Sequence, residues 1–160
     1  DTNGHTQVMD KRVAFLMSDI LKESLKRNAN RRGLNIPIEN MGGKTGTTND
    51  ATSTWFSGYA SHIVASAWVG KDDGSSLGVD EFGSTNALPI WLDFMTLSKN
   101  SLTDFEVVVP EGIAAIRIDK ESGNVSKSFN NSYFEYFLEE NIDDLLSSKS
   151  GNLELKEILN

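Results

Sequence analysis

Between Asn40 and Gly70 three strand-length segments follow one another almost without pause. The first spans about Asn40–Thr48, the second Ser53–Ala60, the third Ile63–Gly70. Asn49-Asp50-Ala51-Thr52 joins the first pair and Ser61-His62 joins the second. Connections this short cannot carry a crossover, so the segments must form an antiparallel meander. Ser53, Trp55, Ser57 and Tyr59 alternate with Thr54, Phe56, Gly58 and Ala60. Ile63–Val69 is apolar almost throughout, which predicts cover on both faces and neighbours on both edges.

Helices are expected on either side. Residues 10–27 place Val13, Leu16, Met17, Ile20, Leu21 and Leu25 on one stripe. Asp10 suits the N-cap, Lys26 and Arg27 suit the C-terminal end of the dipole, and Asn28-Ala29-Asn30 is expected to end the helix. A second helix is expected over about Asn86–Leu97, with Pro89 in its first turn. Phe105–Val109, the turn Pro110-Glu111-Gly112 and Ile113–Ile118 predict a small β-extension. The fold class is α+β, an antiparallel sheet flanked by helices. Domain organisation is expected as 1–103 for the main body, 104–138 for the extension, and 139–160 for an acidic tail that either frays into disorder or forms a weak helix at Leu153–Leu159.

Composition narrows the function classes. The net charge of −8 is concentrated after residue 103, where the balance is −7 against −1 before it. A phosphate footprint needs clustered base, so nucleic acid is not an expected partner. Lys11 to Arg32 is the one basic stretch, and it is interrupted by Asp19 and Glu23. No apolar run spans a bilayer. With no cysteine, disulfides and thiolate metal sites are excluded, while His5 and His62 lack metal-ligand spacing. No metal or cofactor is expected. The chain opens at Asp1 without a methionine, as a piece cut from something longer would.

Chemistry concentrates in Met41-Gly42-Gly43-Lys44-Thr45-Gly46-Thr47-Thr48. A phosphate loop would match Gly43-Lys44-Thr45, but its first glycine falls on Ile38, and Gly46-Thr47-Thr48-Asn49 is a poor helix start. A structural edge strand leaves Gly42, Gly43 and Gly46 as an unexplained weakness. The third reading is a carboxylate grip. Thr45 and Thr47 share a strand face, Lys44 has the reach to join them, Gly46 leaves room, and the Thr47 N–H can hold an oxyanion.

Lys44-Thr45-Gly46-Thr47 resembles the third motif of penicillin-binding proteins and serine β-lactamases. Gly43–Asp50, Trp55-Phe56-Ser57-Gly58-Tyr59, Trp68–Asp73, Pro89–Met95 and Val109–Ile113 resemble the bifunctional class A penicillin-binding proteins, as does the helix around Ala14-Phe15-Leu16-Met17. The resemblance covers about residues 8–138. It implies the C-terminal part of a peptidoglycan D,D-transpeptidase domain, which transfers an acyl group from D-Ala-D-Ala stem peptides through an acyl-serine and is the target of β-lactams. It also implies a glycosyltransferase domain upstream, a membrane anchor upstream, and a place on the periplasmic face of the cytoplasmic membrane. Under it Lys44 completes the proton and charge network, and Thr45, Gly46 and Thr47 bind substrate. The Thr47 N–H serves as oxyanion donor, and Trp55 and Tyr59 pack.

The family's nucleophile lies in Ser-x-x-Lys, and no such run occurs in these 160 residues. Ser-x-Asn occurs at residues 84–86, 98–100, 122–124, 128–130 and 150–152, each after Lys-Thr-Gly, whereas the family carries it before. The family's Gly-Thr-Gly-like loop is replaced by Asn28-Ala29-Asn30. The chain alone is therefore expected to be inactive and to need the remainder of the same protein. A β-lactamase-like hydrolase is disfavoured by the Trp68–Asp73 and Pro89–Met95 segments. A non-catalytic module binding peptidoglycan peptides or a protein partner is the alternative from another class.

Overall fold

The computed structural model describes residues 6–102 and 106–143 and divides into two compact units. One comprises Met17–Val107; the other joins the residues through Leu16 to those from Val108 onward. The elements are α1 (Lys11–Arg32), β1 (Met41–Thr47), β2 (Ser53–Ala60), β3 (Ile63–Gly70), α2 (Ala87–Leu97), β4 (Ile113–Asp119) and β5 (Ser132–Leu138). The α+β class is as expected, with two antiparallel sheets.

Helix α1 starts where expected. The Arg12 N–H donates to Asp10 Oδ1 at 2.8 Å, an N-cap bond that, as the leading cause, holds the Asp10 carboxyl below the usual carboxylate range. Its end differs: the helix runs through Asn28–Asn30 to Arg32. Ala29 and Leu25 are fully buried, so packing outweighs the weak propensity of two asparagines. Gly33, at φ 65°, then stops it. Its N–H reaches the Asn30 carbonyl and the Leu34 N–H reaches that of Ala29, the paired bonds of a Schellman end.

The meander has the order β1-β2-β3. Its register pairs Lys44 with Ser57 and Ser57 with Ser66, and pairs Gly46 with Trp55 and Trp55 with Trp68. Strand alternation therefore puts Lys44, Trp55, Ser57, Ser66 and Trp68 on one face. Thr45, Thr47, Thr54, Phe56, Gly58, Ala65 and Ala67 lie on the other. Helix α2 covers the second face. Leu88, Trp91 and Met95 join Phe56, Met41, Ala60 and Leu25 in the core. Trp91 meets Phe56 at a tilt of 55° with ring centroids 4.9 Å apart and donates its indole N–H to the Ala65 carbonyl at 3.0 Å.

Cover on both faces of β3 is not met among the described residues. Ile63, Ala65 and Ala67 pack on the core, while Val64 is 81% and Trp68 48% exposed. Among the described residues only the α2 side is filled and no strand pairs with the outer edge of β3.

Thr54 is the exception in this core. Its hydroxyl is buried with no hydrogen-bond partner among the described residues. A buried hydroxyl left unsatisfied costs about 1–3 kcal/mol, so the near-isosteric Thr54→Val is expected to stabilise the chain by about 1 kcal/mol. Urea unfolding measures this, and a loss of stability would reveal a partner for the hydroxyl.

In the second unit β4 pairs with β5, not with a strand at Phe105–Val109. Residues 106–109 are irregular, and Phe105 lies outside the described residues. Ala114, Ile116 and Ile118 bury one face of the hairpin with Ile142 and Val125. On the other face Phe15 meets Tyr136 edge-on at 4.9 Å. Arg12 forks onto the Glu140 carboxylate at 2.9 and 3.0 Å. The helix expected at Leu153–Leu159 lies outside the described residues.

Candidate functional site

Among the described residues strand β1 lies at the edge of its sheet, with one hydrogen-bonding side toward β2 and the other open. The Thr48 N–H donates to the Ser53 carbonyl at 3.1 Å, continuing the β1–β2 register. Backbone groups alternate sides in an antiparallel ladder. Gly42, Lys44 and Gly46 therefore point their N–H and C=O groups at β2, and Gly43, Thr45 and Thr47 point theirs at the open edge. The Thr47 N–H is thus directed away from the sheet.

Lys44 starts on the face opposite the threonine side chains, yet its stem carries the ammonium around the open edge. Nζ donates to the Thr45 carbonyl at 3.1 Å and lies 3.3 Å from Thr45 Oγ1. A cation and a hydroxyl from opposite faces are so brought to one place beside outward-pointing N–H groups. That set suits an anionic oxygen docked along the edge. Lys44 is exposed, and Thr45 and Gly46 are half-buried.

Close packing explains the glycines. A Cβ on Gly43 would lie 2.6 Å from Phe56 and 2.8 Å from the Ser57 carbonyl, and one on Gly42 would lie 2.7 Å from the Tyr59 hydroxyl. A Cβ on Gly46 would meet only the Trp55 side chain, at 3.3 Å from its Cβ, so the strand is least crowded next to Lys44 and Thr45. Tyr59 anchors to α1 through the Ser18 carbonyl at 3.3 Å. Trp55 lies 6.3 Å from Trp68 between ring centroids and is 44% exposed.

The structure also brings a segment to β1 that sequence reasoning missed. The turn Phe82–Asn86 leads into α2 and lies against the threonine face. Gly83 donates its N–H to Thr47 Oγ1 at 3.1 Å. Ser84, largely buried, accepts from Arg32 at the end of α1 at 3.3 Å. No spacing rule links residue 83 to residue 47; a lone glycine before a helix was the only signal. Among the described residues no cluster of three or more acidic or histidine side chains could hold a metal ion. No described helix is long and apolar enough to cross a membrane.

Comparison with known proteins decides the family. The chain is 39% identical over 135 residues to penicillin-binding protein 1A of Pseudomonas aeruginosa, covering 84% of this chain and 16% of that protein. The chain belongs to the penicillin-binding protein 1A-like family. Penicillin-binding protein 1A of Vibrio cholerae is 37% identical over 139 residues, covering 72% of this chain and 17% of its own length. Among solved structures, penicillin-binding protein 1A from Haemophilus influenzae superposes with a TM-score of 0.70 at 28% identity, over 82% of this chain and 21% of that one. The fold is therefore that of a penicillin-binding protein 1A segment. The chain spans about a sixth of the length of the curated relatives it matches. No family model matches the chain.

Proposed function

We propose that this chain forms one wall of the active site of a peptidoglycan D,D-transpeptidase and that the nucleophilic serine comes from elsewhere in the same protein. The observation that carries the reading is the meeting of Lys44 Nζ and Thr45 Oγ1, 3.3 Å apart, at the open edge of β1. A D-Ala-D-Ala stem peptide lies along that edge. Its terminal carboxylate is held by the hydroxyls of Thr45 and Thr47 beside the Lys44 charge, and Gly46 leaves it room. The serine oxygen attacks the penultimate D-Ala carbonyl, and the tetrahedral oxyanion is held in part by the Thr47 N–H. The peptide bond to the terminal D-Ala breaks, and that residue leaves with a proton. An amine from a second stem peptide then displaces the serine. A β-lactam enters the same path and stops at the acyl-serine. Residues 104–138 extend this domain. The parent protein carries a glycosyltransferase domain and a membrane anchor upstream and works at the periplasmic face of the cytoplasmic membrane.

Support comes from the penicillin-binding protein 1A likeness, the open edge, and the absence of Ser-x-x-Lys from the 160 residues. Labelling with a fluorescent penicillin tests it. The complete protein is expected to be labelled covalently and this chain alone not. Stoichiometric labelling of the chain alone would place the nucleophile within it. A complete protein that takes no label would favour a non-catalytic binding module.

A further inference from the structure

We propose that Gly83 is a positioning residue for substrate recognition: its N–H orients the Thr47 hydroxyl so that the hydroxyl serves the substrate carboxylate as a donor. The inference rests on the transpeptidase reading and names a device within that site.

A threonine hydroxyl has one proton and two lone pairs. The bond from Gly83 N–H at 3.1 Å takes a lone pair of Thr47 Oγ1 and leaves its proton to point elsewhere. A carboxylate has only acceptors, so a hydroxyl useful to it must present its proton. The β-branched Thr47 side chain has few χ1 states, and this bond selects one of them. Gly83 thus sets both the rotamer and the polarity of the hydroxyl.

The donor is fixed in turn. Thr85 Oγ1 accepts from the Phe82 N–H at 3.0 Å, and the Leu88 N–H reaches the Gly83 carbonyl at 2.8 Å, tying the turn to α2. Arg32 reaches Ser84 next door. A glycine is required because the turn lies against the Gly46–Trp55 pair. A Cβ at residue 83 would fall 2.3 Å from the Trp55 carbonyl, 2.9 Å from the Gly46 carbonyl and 3.1 Å from Thr45 Cβ. Two of those contacts are backbone atoms of a ladder, so the turn must withdraw. The N–H then leaves Thr47.

The test uses the complete protein with Gly83→Ala, Thr47→Val and the double variant. The rate of acylation is measured with a β-lactam carrying its free carboxylate and with its methyl ester. Wild type is expected to favour the carboxylate, and Gly83→Ala is expected to lower that preference about threefold to tenfold, the scale of one hydrogen bond. Thr47→Val should lower it at least as far, and the double variant no further, because both changes remove one interaction. A general loss of structure would slow both compounds alike and leave the preference intact. Thr85→Val, which loosens the turn without inserting a Cβ, should shift the preference the same way by less, and it decides the matter if Gly83→Ala does not fold. The proposal is overturned if Thr47→Val lowers the preference while Gly83→Ala and Thr85→Val keep the wild-type value. It is overturned too if the double variant loses the product of the two single losses. A wild type that no β-lactam acylates overturns the transpeptidase reading itself, a result distinct from either.

Discussion

Replacing Lys44 by alanine in the complete protein is expected to slow acylation by penicillin by about 100-fold or more. Proton and charge stabilisation by one positioned group is commonly worth about 10²–10⁴. Lys44 is the group whose ammonium rounds the β1 edge to reach the Thr45 carbonyl and hydroxyl. The fold should be indifferent to the change. The side chain is exposed and makes none of the core contacts, so the melting temperature should move little. Lys44→Arg makes the argument sharper. It keeps the charge, but its planar fork replaces a compact ammonium that fits between two oxygens on one residue. It is expected to recover only part of the rate. Wild-type acylation by Lys44→Ala would remove Lys44 from the site.

The largest effect on stability is expected at Trp91. Trp91→Ala should cost the chain about 3–5 kcal/mol in urea unfolding. Three losses coincide there: the ring is 1% exposed, it packs at a tilt against Phe56, and its N–H serves the Ala65 carbonyl. Collapse into the space is hindered by the meander's own backbone. Gly58, on the sheet face below, already lies so near that a Cβ there would stand 2.8 Å from the Trp91 ring and 2.6 Å from the Gly42 carbonyl. Trp91→Phe keeps most of the packing and loses the hydrogen bond, so about 1–2 kcal/mol is expected. A loss under 1 kcal/mol for Trp91→Ala would mean that α2 does not hold the sheet as described.

Local signals and distant ones were unequally readable. The meander was legible because its connections are too short for any other topology, and β2 and β3 match their expected bounds. The stop of α1 was not. Asn28-Ala29-Asn30 has the composition of a helix end, but burial of Ala29 and the left-handed Gly33 move the stop beyond Arg32. Strand β5 escaped because Tyr133-Phe134-Glu135-Tyr136-Phe137-Leu138 does not alternate. Both its faces carry aromatics, one set near Ala114 and Ile116 and the other near Phe15. Lys44, Thr45 and Thr47 could be picked out because they are contiguous and of telling chemistry. Gly83 could not, since it acts through a backbone N–H across 36 positions and has no side chain to advertise the role.

Lys44 and Thr45 leave opposite faces of one strand and meet again at its edge. That arrangement makes the wall a matter of parity. With the register held at Gly43, a single residue inserted between Gly43 and Lys44 would send the cation down toward Gly83 and lift the hydroxyls onto the Trp55 face, with every atom of the motif still present. The same change in Asn49–Thr52 would alter only a turn. The motif is thus a phase as well as a composition, and the close fit of Gly43 against Phe56 keeps that phase.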